Sequence, residues 1–305
     1  MRPGRVRAVV NPHAGSGDAA TLFATLAGCF PDAKVDARIT TGEADVPVAA
    51  REQAAWGDLV VVVGGDGTLR EVAAALVESE YEPPLFVVPA GRGNSMYRHL
   101  YGRRDWQQVA RALVDGIEPR PLEVGRIGSS PPIPETYFVL GCTVGLFRSA
   151  LDGAERLRWL PGPLAYLLST AGAAVAADPV VVSVAVDGDG LFEGAARLVA
   201  VGGGRYRGSE FALLSESRPG DGLLHALAVE PAGLSGSVGL LRSARAGRLL
   251  EHPAVSYRSG ERVTVEADAT VPVELDGTPI ERPLESATLS VVSGALSVVH
   301  PLGGT

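Results

Sequence analysis

A chain of 305 residues has room for about two domains and for a full core without disulfide or metal staples. Hydrophobic residues at 46% and charged residues at 20% are those of a folded globular protein and exclude a disordered chain. The net charge of −8, with no cluster of Lys or Arg to offset it, speaks against a nucleic-acid partner, because phosphate neutralisation needs a basic face.

From the N-terminus, short apolar runs alternate with helical patterns. Strands are expected at 5–10, 35–40, 59–63 and 85–88, and helices at about 18–29, 45–56, 68–79, 94–101 and 106–115. The run Leu59-Val60-Val61-Val62-Val63 is apolar on both faces, as a central parallel strand requires. This interleaving predicts βαβ units and an open parallel sheet. After Pro121 the pattern changes to short strand-like segments punctuated by Gly, Pro and Asp. A linker is expected near 119–122 and a surface loop at 129–132. A hairpin is expected from 180–186 with 191–201, and further strands at 223–229, 262–266, 271–275, 287–292 and 295–299. Helices are expected at about 151–177 and 235–250. The apolar stretch 164–177 is too short for a bilayer span of about 20 residues. It reads as a buried helix; Arg156, Arg158, Trp159 and Leu160 nearby make a short candidate membrane-surface patch.

Cys29 and Cys142 lie far apart without metal-ligand spacing, and no signal-peptide pattern follows Met1-Arg2-Pro3-Gly4, so a soluble cytoplasmic protein is expected. Lys34 is the only lysine, and neither a P-loop nor a protein-kinase phosphate clamp can be built from Asp32-Ala33-Lys34-Val35.

Three polar glycine-rich segments follow predicted strands: Asn11-Pro12-His13-Ala14-Gly15-Ser16-Gly17, Gly64-Gly65-Asp66-Gly67-Thr68 and Pro89-Ala90-Gly91-Arg92-Gly93-Asn94-Ser95. Glycines let backbone approach a ligand closely, and a helix beginning at Thr68 offers unpaired N–H groups to phosphate. In an open parallel sheet these loops share one crevice at the carboxyl ends of the strands. Any one of them alone also reads as an ordinary tight turn. Asp66 stands out, since a carboxylate beside phosphates is repulsive without a metal or cationic partner.

These segments resemble the diacylglycerol kinase catalytic-domain family, which includes bacterial lipid kinases, sphingosine kinases and ceramide kinases. Asn11-Pro12-x-x-Gly15 is similar to its first nucleotide loop, and Gly64–Thr68 with Glu71-Val72 to its GGDGTxxEV motif. Pro89–Asn94 is similar to its PxGTGND segment, and Tyr137-Phe138, Asp221-Gly222-Leu223-Leu224 and Glu274-Leu275-Asp276-Gly277 fall where the family carries YF, NDGxLD and DGE. The resemblance implies an NAD kinase-like α/β domain over 1–121, with 293–305 packing back on it, and a β-rich sandwich domain over 122–292. It implies an ATP- and magnesium-dependent lipid kinase whose nucleotide-site positions are Asn11, Thr40, Gly64, Gly65, Asp66, Gly67, Thr68, Glu71, Gly91, Arg92 and Asn94. Asp221, with the carbonyls of Arg218 and Leu223, matches a structural magnesium site; the same Asp-Gly pair equally suits a hairpin turn. The implied partner is a lipid alcohol reached at a membrane surface, and a homodimer is compatible with the family.

The chain departs from the family at Arg92 (Thr in the family), Ser95 (Asp), His225 (often a second Asp) and Thr278, where the family carries the Glu that serves as general base. Residues two apart on a strand share a face, so Asp276 beside Thr278 is the expected surviving catalytic carboxylate, with Glu281 second. Alternatives are a catalytically impaired nucleotide or lipid sensor, and an NAD kinase-like enzyme, which Asn11-Pro12 and the Asp276-Gly277 region disfavour.

Overall fold

The computed structural model describes residues 2–15, 19–145, 178–207 and 210–301. The predicted helix at 151–177, with its apolar stretch and its Arg156–Leu160 patch, lies outside the described residues. The chain divides into two compact units, residues 1–124 with 293–305, and residues 125–292.

In the first unit, β1 (Arg5–Val10), α1 (Ala19–Cys29), β2 (Lys34–Ile39), α2 (Val46–Ala54), β3 (Leu59–Gly64), α3 (Asp66–Val77) and β4 (Leu85–Pro89) alternate along the chain. The strands pair in parallel in the order β2-β1-β3-β4. Every residue of β3 is buried, because it is flanked by β1 and β4 and its faces are covered by helices. The pattern predicting a helix over 45–56 opens instead as a 3-10 turn at Glu43–Asp45, and Pro47 sits in the first turn of α2, where a missing N–H costs nothing.

Two short helices follow, α4 (Ser95–Tyr101) and α5 (Trp106–Ala112), the latter capped by Asp105, which accepts from the Gln107 and Gln108 N–H groups. Phe86 on β4 is fully buried, with its ring edge-on to Tyr101 at 5.7 Å. The Tyr101 hydroxyl, whose deprotonation burial strongly opposes, donates to the Val299 carbonyl at 2.9 Å.

The second unit contains β6 (Thr136–Phe138), β7 (Cys142–Gly145), β8 (Val180–Val186), β9 (Asp189–Ala196), β10 (Leu198–Gly202), β11 (Tyr206–Arg207), β12 (Phe211–Ala212) and β13 (Leu224–Val229). After β13 come α6 (Leu234–Arg245), β14 (Val255–Gly260), β15 (Arg262–Val271), β16 (Val273–Leu275) and β17 (Thr278–Pro279). Two strands belong partly to each unit: β5 (Ile117–Ser130) enters the second, and β18 (Leu284–Pro301) leaves it, its last residues pairing Val298 with Leu85 of β4. The predicted linker at 119–122 is therefore strand, and β5 ends inside the predicted loop at 129–132. The two strands predicted at 287–292 and 295–299 are the single strand β18.

One antiparallel sheet runs β18-β15-β8-β9 and the other β14-β13-β10-β7-β16-β17. The predicted partner segment 191–201 breaks at Arg197, so β9 stays with β8 while β10 joins the other sheet. Leu198-Val199-Ala200-Val201 is buried throughout because both faces are covered. Val199 and Val201 meet the core that includes Val184 and Val263, while Leu198 and Ala200 meet a second cluster with Leu240 of α6. This is a β-sandwich with a helix on one outer face.

Removing the buried ring in Phe86→Ala leaves a cavity against Tyr101, and should cost about 3–5 kcal/mol in urea unfolding.

Candidate active site

Parallel register levels four strand ends in the first unit. Val10 lies opposite Val63, and Gly64 opposite Pro89. Beyond the strands the ladder continues: Asn11 N–H donates to the Val63 carbonyl at 3.0 Å, Thr40 to Val10 at 2.9 Å and Ala90 to Gly64 at 2.9 Å. The three glycine-rich loops are thereby brought together. They touch through glycines. A Cβ on Gly91 would lie 2.5 Å from the Gly65 Cα, and one on Gly15, at φ 56°, would lie 2.2 Å from the Ala90 carbonyl oxygen.

Side chains then tie the loops. Asn11 Nδ2 donates to Thr68 Oγ1 at 2.9 Å, and its Oδ1 accepts from His13 N–H at 3.0 Å. Asn94, in the left-handed region at φ 50°, closes its own loop by accepting from Gly91 N–H and donating to the Gly91 carbonyl. Asp66 resolves the puzzle its charge posed: its two oxygens accept from Ser95 and Met96 N–H at 3.0 Å, the first turn of α4.

Among the described residues no side chain caps α3, and none lies within 4 Å of where a Gly67 side chain would stand, so this helix start has room for an anion. Arg92 is exposed on the third loop. Thr40 is buried with its hydroxyl on the Val10 carbonyl, and Glu71 is paired with Arg70 at 2.8 Å. Those last two positions serve the protein's own bonding.

In the second unit the expected shared strand face of Asp276 and Thr278 does not form. Strand β16 ends at Leu275, and Asp276 at φ 48° with Gly277 makes a tight turn into β17. The Asp276 carboxylate, 3% exposed, accepts from the N–H groups of Val139, Leu140 and Gly141 at 2.7–2.9 Å. It is therefore a strap between segments, and the assignment of Asp276 as catalytic base is corrected. A base needs an oxygen open to the substrate hydroxyl. Thr278 and Glu281 are both exposed.

Sequence reasoning gave no role to Glu274, two residues before Asp276 and 1% exposed. It accepts from Thr143 Oγ1 and from Gly277 N–H. Burial pushes its carboxyl above the usual carboxylate range; Arg207, Thr143 and Gly277 act the other way, and the Asp276 charge adds to the rise. Arg207 is itself buried, donating to the carbonyls of Gly204, Tyr206 and Leu140. Burial likewise pushes the Cys142 thiol up, which makes it inert. The available signal was one glutamate within Val271–Leu275, a run otherwise apolar but for Pro272.

The proposed cation turn is also differently occupied. Asp221 Oδ2 accepts from Arg218 N–H at 2.9 Å and Oδ1 from Leu223 N–H at 3.0 Å, while His225 Nε2 lies 2.9 Å from Oδ2. The Arg218 carbonyl accepts from Asp221 N–H at 3.3 Å. Both Asp221 oxygens are thus already engaged by the protein's own donors.

A parallel α/β sheet with three fused strand-end loops, followed in the chain by an antiparallel β-sandwich, defines the fold shared by NAD kinases and diacylglycerol kinases. Residues 5–127 match the diacylglycerol kinase catalytic domain, and residues 143–300 match the YegS C-terminal NAD kinase beta sandwich-like domain. The chain belongs to the diacylglycerol kinase catalytic-domain family. It is similar to the diacylglycerol kinase of Bacillus subtilis, 27% identical over 90% of this chain and 89% of that protein. It is also similar to that of Staphylococcus carnosus, at 25% over 72% and 70%. A solved structure of a diacylglycerol kinase from Bacillus anthracis shares the fold at TM-score 0.70 and 20% identity, covering 100% of both chains. Yeast NADH kinase complexed with NADH aligns at 0.54 and 12%, covering 100% of this chain and 85% of that one. Among the described residues no helix is long and apolar enough to cross a membrane.

A carboxyl whose pKa is raised on folding contributes stability below its unfolded value of about 4.3, and that contribution is lost as pH rises through the folded value. Glu274→Gln keeps an acceptor for Gly277 N–H and sets an amide donor against Thr143 Oγ1, which then accepts, all without a charge. Its urea midpoint should therefore gain on the wild type from acid to neutral pH; a difference that stays flat with pH would refute the assignment.

Asp276→Ala orphans three buried N–H groups and should cost roughly 3 kcal/mol or more of stability, read by the same unfolding measurement.

Proposed function

We propose that this protein transfers the γ-phosphoryl group of ATP, taken up as its magnesium complex, to a hydroxyl of diacylglycerol or a related lipid alcohol. Family membership supports kinase chemistry. The observation that carries the nucleotide reading is the fused loop cluster beside the uncapped start of α3. Catalysis of phosphoryl transfer is chiefly positioning and charge neutralisation, which suits a rigid cradle of backbone N–H groups. Asn11, Asp66, Thr68 and Asn94 then act by holding the loops in register, and the exposed Arg92 adds a guanidinium fork for phosphate oxygens. The bound magnesium supplies charge neutralisation on the nucleotide. For the proton leaving the acceptor hydroxyl, Glu281 is the exposed carboxylate near the hairpin that carries Thr278. A sensor reading draws support from the same hairpin, where Asp276 is fully engaged and the family's base position is threonine.

The deciding experiment offers radiolabelled ATP with a panel of lipid alcohols to the full chain. Phosphorylated lipid is expected, and Glu281→Gln should lower turnover by about 10²–10⁴-fold if it is the base. Failure of every lipid, together with Thr278→Glu remaining silent, would favour the sensor reading.

Arg92→Thr should weaken ATP affinity in calorimetry, with the gap to wild type widening at low salt, where charge pairing is less screened. A rise in affinity would show that Arg92 obstructs the site.

A further inference from the structure

The Arg218–Leu223 turn is held by a chain of three side chains that no part of the kinase reading uses. His225, 3% exposed, stands on β13 beside β14, which carries Tyr257. Its Nδ1 lies 2.6 Å from the Tyr257 hydroxyl and its Nε2 lies 2.9 Å from Asp221 Oδ2. An ionised carboxylate only accepts, so Nε2 carries a proton and donates to Asp221, while Nδ1 shares a hydrogen bond with the tyrosine hydroxyl. Each ring nitrogen has a partner, and each Asp221 oxygen already accepts a backbone N–H of the turn.

We infer that His225 takes the place of a divalent cation here: the Tyr257–His225–Asp221 chain fastens the turn, and the turn binds no magnesium. A cation on Asp221 Oδ2 would face the N–H of a buried imidazole. Rotating the ring away would break its bond to Tyr257 and strand a buried donor. Turning the same nitrogen into a ligand is no remedy, because magnesium takes oxygen donors and a near-ideal octahedron. An aspartate at 225 would reverse the situation, setting two carboxylates at one turn whose mutual repulsion a bound cation relieves. The inference therefore goes beyond the phosphoryl-transfer reading. It leaves the magnesium that accompanies the nucleotide untouched.

The test uses the full chain, stripped with a chelator and free of nucleotide, and reads no catalytic activity. The Tm should be the same in chelator and in excess magnesium, because only an ion that binds the folded state raises it. A Mn2+ titration followed by electron paramagnetic resonance should show no bound ion that depends on Asp221. His225→Asp should acquire both a saturable magnesium-dependent rise in Tm and a bound Mn2+ signal. Tyr257→Phe should lower the Tm by a few degrees and remain indifferent to magnesium. A wild-type Mn2+ site that disappears in Asp221→Asn would overturn the inference, as would a folded His225→Asp that stays indifferent to both ions. Should His225→Asp fail to fold, the wild-type titration against Asp221→Asn still decides the matter. Lipid phosphorylation enters neither readout, so loss of the kinase reading and loss of this one remain separable.

Discussion

Parallel pairing of β3 with its neighbours is the constraint on which the candidate site depends. A parallel register places strand ends at one level, and here it puts Gly64 beside Pro89 while Asn11 and Thr40 extend the ladder from β1 and β2. The loops have no freedom to diverge after that. Glycine contacts between Gly65 and Gly91, and between Gly15 and Ala90, bring backbone within van der Waals distance of backbone, so side-chain substitutions there would separate the loops. The cradle is consequently a property of the sheet, reinforced rather than created by its polar side chains.

The carboxylates of this chain are used in a consistent way. Asp66 binds the N–H groups that open α4, Asp276 binds three consecutive N–H groups at 139–141, and Asp187 binds those of Glu261 and Arg262. Asp221 does the same within its own turn. An ionised carboxylate accepting backbone donors makes a stronger bond than a neutral acceptor, and at a turn it fixes two segments at once. Three of these four aspartates lie in motifs that invite a catalytic or metal-binding reading. The structure shows that motif positions can be retained for loop architecture as well as for chemistry.

This bears on how much was legible in the sequence. The first unit was legible almost throughout because its signals are long and local: continuous apolar strands, intervening helical periods and glycine-rich strand ends. The fused loops followed from that topology. The second unit was less so. Strands of two to four residues, such as Thr136–Phe138 and Tyr206–Arg207, carry too little periodicity to announce themselves. The switch of sheets at Arg197 is set by packing on both faces of β10, which no local pattern encodes. Asp276 failed as a sequence-level assignment because a strand was extended through an Asp-Gly pair that in fact turns. The alternative cue, that Asp-Gly favours a two-residue hairpin, was present in the residues. Tyr257 could not be recognised because its partner His225 is distant in the chain, and Glu274, whose partner Thr143 is equally remote, showed only as a lone glutamate in an apolar run.

The outer strand β2 has a consequence for self-association. It has β1 as its neighbour on one side in the described sheet, so its outer backbone groups are a template for another strand. Lys34, Asp36 and Arg38 alternate along it, with Asp36 paired to Arg7 at 2.5 Å and Arg38 to Asp45 at 3.1 Å. An incoming copy would have to lay like charges against like or strip these pairs of water. The single lysine of the chain thus stands where an uncharged residue would leave the sheet open to stacking edge to edge.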